Sequence, residues 1–134
     1  MADGKLFKLE IISPDRVFYE GNVTMVELTT SEGEIGVYAE HVPLTSVLEP
    51  CALTIHEVDG IKKAAVHSGF VEILKDKVTV LAELAEWPEE IDVNRANEAK
   101  IRAERRLSGQ EANTNTLRAE MALKRSLARL NAVE

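Results

Sequence analysis

Aromatic residues are scarce, at 4% of 134 residues, while hydrophobic residues as a whole reach 45%. A core must therefore be assembled from Val, Ile, Leu and Ala, and a chain disordered throughout is excluded. Cysteine is nearly absent. Cys51 stands alone, which rules out an intrachain disulfide and the clustered spacing of a zinc site, and fits a reducing compartment. No apolar run approaches the roughly 18 residues of a membrane span. The start, Met1-Ala2-Asp3-Gly4-Lys5, lacks the basic and apolar regions of a secretory signal. Also missing is a Gly-rich loop ending in Gly-Lys-Ser/Thr, the usual phosphate cradle of nucleotide hydrolases. These absences describe a soluble chain that reaches a membrane only through partners.

What is present is unevenly charged. The formal net charge of −7 divides into −10 for residues 1–91 and +3 for residues 92–134. An acidic body with a mildly basic tail suits a tail that docks on acidic protein or takes up a small anion. The excess is too small, and aromatics too few, for nucleic-acid binding.

From Leu6 to about Ala82, short runs rich in β-branched residues are separated by turn residues, the pattern of an antiparallel β-sandwich. Phe7, Leu9 and Ile11 alternate with polar neighbours, and Pro14-Asp15 breaks the run. Val17-Phe18-Tyr19 resumes it, and Gly21-Asn22 is expected to turn again before Val23 to Thr30. Asp59-Gly60 reads as a hairpin turn between Leu53 to Val58 and Ile61 to His67. Val71 to Leu74 and Val78 to Leu81 form another hairpin across Lys75-Asp76-Lys77.

After Trp87-Pro88 the composition turns to Ala, Glu, Arg, Lys and Leu, and two helices follow. Asp92 is placed to cap the first, which runs to about Leu107 and ends at Ser108-Gly109. The segment Asn113-Thr114-Asn115-Thr116 offers caps for a second helix reaching about Asn131. The short connection makes an antiparallel helical hairpin. The expected division is thus a sandwich over residues 1–87 and a hairpin over 88–134. The helical stripes are thin: Val93, Ala96, Ala99, Ala103 and Leu107 on the first, Ala119, Ala122, Leu123, Leu127 and Leu130 on the second. Alanine-rich contacts hold such a hairpin weakly, so docked and extended states lie within a few kcal/mol of each other.

The run Ser31-Glu32-Gly33-Glu34-Ile35-Gly36-Val37, followed by His41-Val42-Pro43-Leu44, resembles the signature of the epsilon subunits of bacterial F-type ATP synthases. Ser68-Gly69-Phe70-Val71-Glu72 and Val78-Thr79-Val80-Leu81-Ala82 resemble that family's last sandwich strands in the same order, so the likeness covers nearly the whole chain. It implies a non-catalytic rotor subunit on the cytoplasmic face of the bacterial plasma membrane. Its sandwich would contact the gamma subunit and the c-ring. Its hairpin would fold back or extend toward the alpha and beta subunits, where it inhibits ATP hydrolysis. A narrower resemblance lies in Ile91-Asp92-Val93-Asn94-Arg95-Ala96, which is similar to the Ile/Leu-Asp-x-x-Arg-Ala motif of bacillus-type, ATP-binding epsilon subunits. By local sequence Glu86, Arg102, Arg125 and Arg129 complete the implied ATP-binding set of Glu86, Ile91, Asp92, Arg95, Ala96, Arg102, Arg125 and Arg129.

The chemistry suits that set. Arg95 and Arg102 are about two helical turns apart on one face, and Arg125 and Arg129 one turn apart on the other helix. Guanidinium forks match phosphate oxygens and never lose their charge. ATP is therefore expected as a regulatory ligand, with Asp92 and Arg95 at the base, Glu86 ordering an arginine, and no catalytic group or metal site. The competing reading pairs the arginines with Glu98, Glu104 and Glu120 along the helices and leaves a purely structural coupling subunit. His41, His56 and His67 are scattered and read as structural, as does Cys51 as a small buried residue.

Overall fold

The computed structural model describes residues 5–109 and 115–134; Asn113 and Thr114, two of the cap candidates, lie outside that range. Eight strands come first: β1 (Phe7–Ser13), β2 (Arg16–Val23), β3 (Met25–Thr30), β4 (Gly33–Tyr38), β5 (Leu44–Leu48), β6 (Cys51–Glu57), β7 (Gly60–Ile73) and β8 (Lys77–Glu86). A single 3-10 turn, Pro88–Glu90, leads into α1 (Val93–Leu107) and α2 (Thr116–Ala132).

The strands run β2-β1-β8-β7-β5-β3-β4, with β6 bridging β3 and β7. All ladders are antiparallel except β1 with β8, which is parallel. The resulting sandwich encloses an aliphatic core, in which Leu9, Ile11, Val26, Leu53, Ile55, Val71, Ile73 and Val80 are fully buried. Strict alternation on β1 follows from the pleat, which sends successive side chains to opposite faces. Three of the six aromatic residues gather at the exit to the helices. Trp87 stacks on Phe18 with ring centroids 4.2 Å apart, and Tyr19 meets it edge-on at 6.3 Å.

Three local expectations are corrected. Gly21 and Asn22 do not turn but lie inside β2, opposite Leu9 and Lys8. Glycine is needed there because a Cβ at Gly21 would stand 2.8 Å from the Tyr19 hydroxyl, two residues back on the same face. The β6–β7 hairpin exists, but Glu57 pairs with Gly60, so Val58-Asp59 form its loop and Gly60 opens β7 without a positive φ. Finally, Ile61 to His67 and Val71 to Leu74 are not separate strands. One long β7 pairs with β6 through Val66 and with β5 from Gly69 onward. At the exchange of partners Ser68 has φ 46° and Gly69 φ 142°.

The hairpin folds back so that α2 packs on β6 and β7 while α1 packs on α2. Its buried face is even smaller than the sequence implies. Ala96, Ala103, Ala119, Ser126, Ala128 and Ala132 are buried, whereas Val93 and Leu127, expected in the stripes, are exposed. Close approach of the backbones selects the small residues and turns the larger ones outward. Ile91, Ala65 and Ala132 form a separate small core between hairpin and sandwich, and Lys124 ties α2 to Glu49 at 2.7 Å.

Candidate functional site

Three parts of the chain meet at one open cleft of about 410 Å³. The sandwich exit contributes Glu86 and Glu90, α1 contributes Asp92 (its cap), Arg95, Ala96, Ala99 and Arg102, and α2 contributes Ala122, Arg125, Ser126 and Arg129. Antiparallel packing explains the convergence. The first turns of α1 lie beside the last turns of α2, which brings Arg95 and Arg102 to the wall facing Arg125 and Arg129. Ala96, Ala99, Ala122 and Ser126 keep that wall thin and the helices close.

Each carboxylate near the cleft has a defined task. Asp92 caps α1: its Oδ1 accepts the Arg95 N–H at 3.1 Å. Glu86 Oε1 accepts the Arg129 Nε–H at 2.8 Å and the His67 Nε2–H at 2.9 Å. Burial alone would raise the Glu86 carboxyl, but the two hydrogen bonds and the neighbouring positive charge outweigh it, so its pKa lies below the ordinary carboxylate value. Glu90 is drawn down in the same direction by Arg16 and by the Trp87 N–H. Its Oε1 accepts from Arg16 Nη2 at 2.8 Å and from the Trp87 backbone at 2.8 Å, which fastens the 3-10 turn to β2.

The arginines are treated differently. Among the described residues Arg129 pairs with Glu86 through Nε, while the side chains of Arg95, Arg102 and Arg125 make no ion pair or hydrogen bond. Glu98, Glu104 and Glu120 likewise take part in no ion pair among the described residues, so the alternative pairing along the helices is not formed. Three arginines without an ion-pair partner among the described residues thus line a space that can hold a ligand, an arrangement suited to a polyanion.

Of the eight residues read from the sequence, seven line the cleft. Ile91 does not; its side chain anchors the junction in the small core with Ala65 and Ala132. Sequence reasoning passed over Glu90, Ala99, Ala122 and Ser126 as lining residues. The small residues carry a signal, since Ala96–Ala99 and Ala122–Ser126 repeat at three and four residues. It also passed over His67 as a partner of the cleft, because that contact is a diagonal one between neighbouring strands, 19 residues apart, and depends on the β7–β8 register. His41 and His56 stand elsewhere, against the Val42 carbonyl and Glu27 respectively. Cys51 is buried, and burial pushes its thiol pKa up, away from a nucleophile's range.

The chain, a sandwich followed by a helical pair, is matched by two family models in series. These are the ATP synthase delta/epsilon chain β-sandwich domain over residues 6–88 and the delta/epsilon chain long α-helix domain over residues 89–134. The two-part architecture is thus that of a delta/epsilon chain. Among such chains it is 44% identical to the ATP synthase epsilon chain of Caldanaerobacter subterraneus subsp. tengcongensis, over 94% of this chain and 92% of that one. It is 43% identical to that of Halalkalibacterium halodurans, over 92% and 93%. The chain belongs to the ATP synthase epsilon chain family. In fold it is similar to a chain in the Euglena gracilis mitochondrial ATP synthase, with a TM-score of 0.81 at 22% identity, covering 96% of this chain and 82% of that chain. Among the described residues no helix is long and apolar enough to cross a membrane.

Proposed function

We propose that this chain is a non-catalytic rotor subunit of a proton-translocating F-type ATP synthase, and that its helical hairpin is a brake on ATP hydrolysis released by ATP itself. The sandwich joins the gamma subunit to the c-ring at the cytoplasmic face of the bacterial membrane. The hairpin, when undocked, reaches the alpha and beta subunits. Bound ATP holds it in the compact state. One observation carries the nucleotide reading: three arginines without ion pairs and a fourth aimed by Glu86 line a single cleft.

The chemistry runs from that wall. In the absence of an anion the guanidiniums repel one another across the cleft and weaken docking. A triphosphate supplies the missing negative charge and accepts their forked donors. Among the described residues each carboxylate of the cleft is already engaged, Glu86 by Arg129 and His67, Glu90 by Arg16 and the Trp87 N–H, and Asp92 by the Arg95 N–H, so the reading is binding without turnover. The coupling role has its own support. Val47, Phe70, Leu81, Ile12 and Val17 are successive register partners across β5, β7, β8, β1 and β2. Apart from the half-buried Ile12 all are exposed, leaving an apolar row on the outside of the sandwich suited to a protein partner.

Calorimetric titration of the isolated protein with ATP and ADP, with and without Mg²⁺, tests the nucleotide reading. The expected result is saturable ATP binding with a rise in melting temperature, and no phosphate release. A ligand at a hundredfold excess over its Kd adds about 2.7 kcal/mol to the state it binds, comparable to weak alanine-rich docking. Unchanged melting at millimolar ATP would leave a purely structural coupling subunit.

A further inference from the structure

His67 occupies its position at evident cost. The residue is 2% exposed, and its Nδ1 is buried without a hydrogen-bond partner among the described residues. It stands immediately before Ser68 and Gly69, both with positive φ. A Cβ added at Gly69 would overlap the Leu81 carbonyl oxygen, so the backbone is pressed against β8 at this point. Ala65, Val66 and Ala85 nearby are buried and apolar. An apolar residue at position 67 would fill the space without an orphaned nitrogen. A buried polar group placed so expensively, beside strained backbone, needs a compensating role.

The geometry supplies one. The polarity of His67 is used in the bond from Nε2 to Glu86 Oε1, at 2.9 Å. An ionised carboxylate only accepts, so Nε2 carries the proton and the ring is a donor aimed at that oxygen. The same Oε1 receives Arg129 Nε from α2 at 2.8 Å. Glu86 ends β8, and a glutamate side chain has several staggered rotamers to choose among. The imidazole, locked in the sandwich, selects the one that meets Arg129. Engaging Arg129 through Nε leaves both of its terminal nitrogens without a partner among the described residues, at the cleft.

We propose that His67 is a positioning residue for the arginine cleft. It fixes Glu86, Glu86 aims Arg129, and through that relay a sandwich residue that touches no ligand sets both hairpin docking and affinity for a nucleoside polyphosphate. The affinity half rests on the nucleotide reading above; the docking half does not.

The test is a double-mutant cycle on the full chain. His67→Leu removes the donor and His67→Gln retains an N–H of similar reach, with His67→Val in reserve should Leu prevent folding; each is combined with Arg129→Ala. Without nucleotide, hydrogen exchange of the α2 amides reads docking. His67→Leu is expected to accelerate it about tenfold, the weight of one hydrogen bond to a charged group, and His67→Gln to stay within about twofold of wild type. In the Arg129→Ala background, His67→Leu is expected to add nothing. Calorimetry with ATP reads affinity, where the same pattern is expected with an approximately tenfold weaker Kd. A His67→Leu effect as large with Arg129 absent as with it present would overturn the relay, as would a His67→Gln variant as impaired as His67→Leu. Loss of coupling is thus separable from failure of the nucleotide reading: wild type that binds no ATP but retains coupled exchange would sink the latter and support the relay in docking.

Discussion

Removing an arginine from a helix that packs on a protein ordinarily costs stability; at Arg125 the expectation is the opposite. Its side chain lines the cleft with no ion pair or hydrogen bond among the described residues, so Arg125→Ala deletes no favourable polar contact. What it deletes is repulsion from the other guanidiniums, offset in part by attraction to Glu86, Glu90 and Asp92 on the same cleft. A cleft of about 410 Å³ is equivalent to a sphere about 9 Å across, so charges on opposing walls repel by ~0.5–1 kcal/mol at an effective dielectric of about 40–80. The ATP-free variant is therefore expected to melt at the wild-type temperature or up to about 3 °C above it at low salt, the difference shrinking as salt screens the cleft.

With ATP the sign reverses. Losing one charge-assisted bond to a phosphate oxygen costs about 1.5–3 kcal/mol, a weakening of Kd by about 10- to 150-fold. Scanning calorimetry at two salt concentrations, with and without ATP, measures both effects on one sample. Arg129→Ala serves as the contrast, because it also breaks the pair with Glu86 and is expected to destabilise even without nucleotide. The reasoning fails if Arg125→Ala lowers the ATP-free melting temperature as much as Arg129→Ala does, or if ATP stabilises the Arg125 variant as strongly as wild type.

Acid is expected to loosen the hairpin. The Glu86 pKa is lower in the folded protein than its ordinary 4.5, so its contribution is fully present above that value and is lost as pH falls through the lower folded one. Exchange of the α2 amides should accelerate in that window, and Glu86→Gln should flatten the response. Asp92→Ala removes the cap on α1 and is expected to cost about 1 kcal/mol without ATP; Asn115→Ala, the matching change at the cap of α2, should cost as much yet leave ATP affinity within about threefold, which titration decides. Gly69→Ala combines positive φ with overlap on the Leu81 carbonyl and is expected to destabilise by more than about 3 kcal/mol, read as an early urea midpoint or failure to accumulate.

The legible parts of this fold are those fixed by local chemistry. Asp92 announces the start of α1 because a carboxylate there can receive an orphan N–H, and Ser108-Gly109 announces its end because glycine accepts the left-handed turn, φ 79° at Gly109. Alternation in β1 declares a strand with one buried face. What misled were Gly21, read as a turn, and the separation of Ile61 to His67 from Val71 to Leu74. Gly21 is there for the ring of Tyr19, and Gly69 lets one strand press on its neighbour as it exchanges partners; both are tertiary reasons with no local mark. The same distinction divides the cleft. Arginine spacing along one helix follows from 3.6 residues per turn, whereas the meeting of His67, Glu86 and Arg129 requires a register that only the folded sheet supplies.

Because the cleft is divided among the sandwich exit, α1 and α2, it is a property of one arrangement of the chain and not of any segment. Glu86 leaves with the sandwich if the hairpin undocks, since Arg129 belongs to α2 and Glu86 to β8. Any polyanion that engages all four arginines and depends on Glu86 to aim Arg129 therefore binds the docked arrangement better than an undocked one. By mass action that difference would shift the population toward the docked state. Small buried side chains keep the shift within reach: with Ala128, Ala132 and Ser126 holding α2 to its neighbours, docking lacks the leucine-packed interface that would make it indifferent to a ligand worth a few kcal/mol. Replacing Ala128 by a larger apolar residue will not strengthen the hold, because the backbones are too close to admit it. On the proposed reading, retaining the small residues is what would allow a bound anion, and not packing alone, to decide where the hairpin rests.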